Sequence, residues 1–124
     1  MKRFYRAGSE ESPEIKLDKL NGEFSLIGHS YPEDAQRFYE PVLDWLTVYA
    51  SEPNPSTEVT VNLDYFNTTS QKMVVDILLL LNKIFNAGHQ VSVKWYYHED
   101  DEATQEAGEE FAEMLDLPFE VLEG

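Results

Sequence analysis

Between Glu58 and Tyr97 the apolar residues change their spacing twice. Val59, Val61 and Leu63 alternate with polar neighbours, the period of a half-buried strand over Glu58–Leu63. From about Ser70 to Ala87 the spacing becomes helical. Met73, Ile77, Leu80, Leu81 and Ile84 form the stripe, and Val74, Leu78 and Phe85 widen it. So broad a stripe predicts a helix covered on two sides, and Ala87-Gly88 ends it with a C-terminal glycine. Val91, Val93, Trp95 and Tyr97 then alternate again over Gln90–Tyr97. Strand, helix and strand in this order imply a sheet with helices packed on it.

The flanks extend the pattern. Ile15-Lys16-Leu17-Asp18 and Phe24-Ser25-Leu26-Ile27 read as strands joined by an Asn21-Gly22 hairpin turn. Gly28–Glu33 reads as a loop containing Tyr31-Pro32. Asp34 can cap a helix running to about Ala50, with Phe38, Val42, Trp45, Leu46 and Tyr49 on one face. Pro41 inside it predicts a kink, or a short first turn and a restart. Ser51–Thr57 is a loop, and Asp64–Asn67 carries the chain over the end of the strand before it. A third helix spans Asp101–Leu115, with Ala107, Phe111, Met114 and Leu115 inward. Pro118 stops it before a last short strand, Phe119–Leu122. Residues 1–12 are polar and read as a flexible segment; residues 13–124 read as one domain. The expected class is α/β: a mixed sheet of about five strands with three helices, order β-β-α-β-α-β-α-β.

Composition limits what such a domain does. A chain of 124 residues can bury a real core without staples. It has no cysteine, which excludes disulfides, thiolate zinc sites and cysteine nucleophiles. Nine basic against 24 acidic residues give a net charge of −15, so nucleic acid and anionic membranes are poor partners. No apolar run follows Lys2, Arg3 and Arg6, so no signal peptide is expected and the setting reads as cytoplasmic. No Lys or Arg follows Lys94. The run Glu99-Asp100-Asp101-Glu102 suits a solvated helix start and also an acidic surface that meets a basic partner.

Little here supports catalysis. His29, His89 and His98 lack helical metal-site spacing, and no Walker, GxGxxG or GxSxG motif is present. No cofactor and no metal is expected. His98 beside Glu99, Asp100 and Asp101 is the one place for a weakly held divalent cation. Asn67-Thr68-Thr69 matches a glycosylation sequon, a chance match without a secretory signal. The segment that stands out is Leu63–Lys72, where Thr68, Thr69 and Ser70 lie at a strand-to-helix turn. One of the three can be an N-cap. A hydroxyl there can also carry a phosphate, whose charge gains from the helix N-terminus while Asp64 opposes it.

The chain resembles the SiaC family of bacterial regulatory phosphoproteins. Gly28-His29-Ser30-Tyr31-Pro32-Glu33, Phe38-Tyr39 with Pro41 and Trp45-Leu46, and Tyr65-Phe66-Asn67-Thr68-Thr69-Ser70-Gln71-Lys72 carry the resemblance. Val93-Lys94-Trp95-Tyr96-Tyr97, Asp100-Asp101-Glu102, Gly108-Glu109 with Phe111, and Pro118-Phe119 extend it over nearly the whole chain from Glu14. The resemblance implies a fold like STAS-type anti-sigma-factor antagonists and no enzymatic activity. It implies phosphorylation at Thr68 by a dedicated kinase and reversal by a PP2C-type phosphatase. Thr69 stands where the family usually has serine and is a competing acceptor. The resemblance further implies that the unmodified form binds and activates a diguanylate cyclase, which controls cyclic di-GMP and biofilm growth. The expected docking surface is Tyr65, Phe66, Asn67, Thr69 and Ser70 with Ser30, Tyr31 and Pro32. A STAS-like interaction module without phosphorylation, and a small metal-dependent enzyme using Asp100 and Asp101, are the alternatives.

Overall fold

The computed structural model describes residues 1–124. Six strands form one sheet in chain order: β1 (Phe4–Arg6), β2 (Glu14–Asp18), β3 (Glu23–Ser30), β4 (Ser56–Phe66), β5 (Gln90–Tyr97) and β6 (Phe119–Glu123). The first three are antiparallel neighbours, and β3 through β6 run parallel. The three parallel steps are bridged by α1 (Ala35–Ser51), α2 (Thr68–Asn86) and α3 (Glu102–Met114).

All three helices lie on one face, and the register shows why. Leu17 pairs Phe24, Phe24 pairs Val59, and Val59 pairs Val93. One row further, Ile15, Leu26, Val61 and Trp95 align. These residues are all buried and belong to a single core. Tyr49 of α1 packs on Phe24, Ser70 of α2 bonds Ser30, and Phe111 of α3 meets Trp95. The opposite face carries the row Lys16, Ser25, Thr60, Lys94 and Glu120, and no helix covers it. Even the parallel strands therefore alternate apolar with polar, as strands with one wet face must.

The hairpin turn between β2 and β3 is held by Asp18. Its carboxylate accepts the Asn21 side-chain amide at 2.8 Å and the Asn21 backbone N–H at 3.1 Å. These bonds, with Arg3 nearby, hold the Asp18 carboxyl below the usual carboxylate range although the residue is buried. Gly22 at φ +69° completes the turn, a conformation that glycine adopts freely.

Several expectations need correction. Residues 1–12 are not all loose, and the sheet has six strands, not five. Phe4–Arg6 pairs with β2, the Arg6 guanidinium donates to the Phe38 carbonyl at 3.0 Å, and the Trp45 indole donates to the Lys2 carbonyl at 2.8 Å. These ties are tertiary, so local polarity hid them. Strand β4 runs on to Phe66 and β3 to Ser30, because each completes the other's ladder where loops were expected. Helix α1 passes unbroken through Pro41. Tyr39 and Val42, both fully buried, hold the chain to the sheet on either side of it. The buried face of α1 is Ala35, Tyr39, Val42, Leu46 and Tyr49; Phe38 and Trp45 lie at its margin. In α3, Met114 faces water.

Trp95 packs closely against α3. Its indole N–H donates to the Thr104 carbonyl at 2.9 Å, and the pyrrole part of its ring packs against Gly108. A Cβ at Gly108 meets Trp95 Cδ1 at 2.4 Å and Nε1 at 2.6 Å, so α3 cannot close on β5 with any larger residue. Gly108→Ala is expected to destabilise the protein by about 2 kcal/mol or more, measured by urea unfolding. Wild-type stability in this variant rules out the packing described.

Candidate functional site

One extra residue shapes the rim of the sheet. Gly28 pairs with Leu63, but the next residue, His29, pairs with Tyr65. Asp64 is thus a bulge in a parallel ladder, and it reverses which side chains face the helices. Leu63 is buried before it; after it Tyr65 turns outward and Phe66 turns in, edge-on to Trp95 at 5.9 Å. Opposite the bulge, Gly28 adopts φ +129°, a value that disfavours any side chain.

Beyond the bulge the chain enters α2. The N-cap is Asn67, and none of the three hydroxyl residues takes that place. Its Oδ1 accepts the Ser70 N–H at 2.9 Å, and its own N–H donates to the Ser30 carbonyl at 3.1 Å. A side-chain amide oxygen caps as well as a hydroxyl does, which leaves the hydroxyls for other uses. Thr68 and Thr69 are both exposed. Thr69 Oγ1 donates to Asn67 Oδ1 at 3.2 Å.

The expected docking residues divide into two groups. Tyr65 is 54% exposed, and its ring meets Tyr31 edge-on at 5.4 Å. Tyr31 and Pro32 are half-buried, with the Tyr31 N–H donating to the Glu11 carbonyl at 2.7 Å. These residues, with Thr68, Thr69 and the partly exposed Asn67 and Phe66, share the carboxyl ends of β3 and β4. That end of a parallel sheet is where α/β proteins place their sites. Ser30 and Ser70 are fully buried and present no surface at this rim. Ser30 Oγ donates to Ser70 Oγ at 2.9 Å and lies 2.5 Å from the Tyr39 hydroxyl.

Two hollows open beside the start of α2. One, of about 260 Å³, lies between the starts of α1 and α2 and is lined by Glu33, Asp34, Thr69, Lys72 and Met73. The other, of about 160 Å³, is lined by Tyr65, Phe66, Gln71, Asp64 and Asp101. Lys72 is the one cation among these residues.

The cation reading of the acidic run does not assemble. His98 turns to Asp64, with Nε2 2.5 Å from Oδ1. Asp101 caps α3, with Oδ1 accepting the Thr104 N–H at 3.0 Å and Oδ2 its hydroxyl at 2.7 Å. Nowhere do three histidine, aspartate or glutamate side chains converge as metal ligands.

Tyr39 supports the site through Ser30, and the sequence carries a signal for its burial. Counted from Ala35, the spacing Ala35, Tyr39, Val42, Leu46, Tyr49 is a cleaner helical stripe than one counted from Phe38. Burial pushes the Tyr39 phenol up to about 12. The folded state therefore keeps a proton that the unfolded state loses near pH 10, and stability falls as pH rises from 10 toward 12. Tyr39→Phe is expected to flatten that loss in alkaline denaturation curves; an unchanged slope refutes the assignment.

Residues 6–124 match the family model described as SiaC family regulatory phosphoprotein. An uncharacterized protein of Pseudomonas aeruginosa (strain UCBPP-PA14) is 34% identical over 92% of this chain and 90% of its own length. The crystal structure of apo-SiaC from the same species superposes with a TM-score of 0.88 at 32% identity, covering 98% of this chain and 99% of that one. The crystal structure of the diguanylate cyclase SiaD with its activator SiaC matches with a TM-score of 0.90 at 32% identity, again over 98% and 99%. On the family model, the identity and the shared fold together, the chain belongs to the SiaC family of regulatory phosphoproteins.

Proposed function

We propose that this protein is a phosphorylation-controlled partner switch, without catalysis of its own, whose unmodified form docks on a diguanylate cyclase and activates it. The carrying observation is the placement of Thr68: exposed, in the first turn of α2, three residues after the exposed Tyr65, whose ring meets the half-buried Tyr31. Tyr65, Tyr31, Pro32, Phe66, Asn67 and Thr69 form the docking surface in this reading. Aromatic residues of this kind supply most of the energy in small interfaces. The similarity to SiaC, solved with the cyclase SiaD that it activates, supports the choice of partner class.

Release follows from charge. A phosphate on Thr68 brings about −1.5 to −2 charges into a contact surface. The hollows on this rim are lined by Asp64, Asp101, Glu33 and Asp34, with Lys72 their only cation. Desolvating a dianion there costs several kcal/mol, and about 3 kcal/mol is already more than a hundredfold in affinity. The fold itself loses nothing, because Thr68 holds no structural bond and a helix N-terminus favours an anion. A dedicated kinase and a PP2C-type phosphatase, both acting in the cytoplasm, complete the cycle.

Thr68→Asp is expected to weaken cyclase binding at least ~10-fold in calorimetric titration, with the thermal midpoint unchanged. Thr68→Ala should retain binding and resist the kinase; equal phosphorylation of Thr68→Ala and wild type sinks the assignment. Tyr65→Ala removes an exposed anchor, so binding should fall by about 1–3 kcal/mol while stability stays within about 0.5 kcal/mol. Undiminished cyclase activation by Tyr65→Ala moves the docking surface elsewhere.

A further inference from the structure

Thr68 and Thr69 are enclosed by a ring of hydrogen bonds. The Ser30 carbonyl accepts the Asn67 N–H at 3.1 Å, Asn67 Oδ1 accepts the Ser70 N–H at 2.9 Å, and Ser70 Oγ accepts the Ser30 hydroxyl at 2.9 Å. Both ends of the turn are thereby tied to one buried residue of β3. With the Ser30 proton given to Ser70, the Tyr39 hydroxyl is the donor across the 2.5 Å contact, and it ties the ring to α1. Residues 67 and 70 are anchored inward, and the two threonines between them face out.

The two threonines are not equivalent. Thr69 gives its hydroxyl proton to Asn67 Oδ1, while the Thr68 hydroxyl is uncommitted. We propose that this ring selects Thr68 over Thr69 as the phosphate acceptor, with Asn67 and Ser30 as positioning residues. The inference rests on the reading of Thr68 given above and adds what decides between the two hydroxyls. In the transfer, the Thr68 Oγ1–P bond forms as the bond from the γ-phosphorus of a nucleoside triphosphate to its bridging oxygen breaks. The nucleoside diphosphate leaves, and the hydroxyl proton passes to a base on the kinase. Such a reaction is decided by positioning. Thr68 can rotate freely into line. Thr69 must first give up Asn67, and one hydrogen bond is enough to bias the choice about fivefold.

The test uses full-length wild type, Asn67→Ala, Asn67→Asp and Ser30→Ala. Each is expressed in the native host in place of the resident copy, and phosphate at residues 68 and 69 is quantified by tandem mass spectrometry. Wild type and Asn67→Asp, which keeps an acceptor oxygen, should carry phosphate on Thr68. In Asn67→Ala and Ser30→Ala the 68-to-69 ratio should fall about fivefold or more. Asn67 lies at the rim, so Asn67→Ala decides the question even if Ser30→Ala fails to fold. An unchanged ratio in Asn67→Ala overturns the ring and leaves the Thr68 assignment standing. Wild type modified mainly on Thr69, equally on both, or on neither overturns both.

Discussion

The single residue by which β4 outruns β3 governs everything at the rim. If Asp64 did not bulge, the strict alternation of a strand would send Tyr65 into the core and Phe66 into water. The register shift exchanges them. Phe66 then packs against Trp95, Tyr65 stands out beside Tyr31, and the chain reaches Asn67 in position to cap α2. The bulge costs one ladder position and places an aromatic contact pair next to a pair of exposed hydroxyls. His98 holds the bulged Asp64 from just beyond the end of β5, so the irregularity is buttressed and not merely tolerated.

Beneath that rim, polar burial is used economically. Five polar or charged residues are buried, and three of them, Ser30, Ser70 and Thr104, lie near the carboxyl ends of the strands or the helices that follow. Every buried side-chain oxygen and nitrogen finds a partner. A buried hydroxyl left alone costs about 1–3 kcal/mol, whereas a satisfied chain of them fixes one arrangement of the elements it joins. The Ser70–Ser30–Tyr39 chain joins α2, β3 and α1 at the point where the two helices begin. Buried bonds of the same kind join Tyr49 to Thr57 and Trp95 to Thr104 within an otherwise apolar core.

Much of the fold was legible because it follows from spacing. The strands around Val59–Leu63 and Val91–Trp95 and the helix over Met73–Ile84 are long and strongly periodic, and they stand where the pattern put them. Features made by contacts distant in sequence were not legible. The strand at Phe4–Arg6 depends on Phe38, Trp45 and β2. The bulge depends on β3, and a strand reading cannot see its partner's register. At the site, the exposed Thr68, Thr69 and Tyr65 lie together as the local motif implied. Ser30 and Ser70 carry the same residue type as displayed hydroxyls but lie fully buried, and only the tertiary structure separates the two cases. The N-cap passed to Asn67 because its side chain, one residue earlier, reaches the Ser70 N–H first.

The linear strand order has an electrical consequence. Because β1 and β6 are the two outer edges, the charges of the chain's two ends are held at opposite sides of the sheet. Lys2, Arg3, Arg6, Lys16 and Lys19, five of the nine basic residues, belong to the β1–β2 side. The β6 side, from Glu99 onward, carries eleven acidic residues and no base. The molecule is therefore a dipole lying along the sheet as well as a net anion. In the field of a cationic surface it turns before it touches, and salt that shortens that field slows the approach. The rim that holds Thr68 lies between the two poles, on neither of them. A charge added there changes what happens on contact far more than the direction from which contact is made.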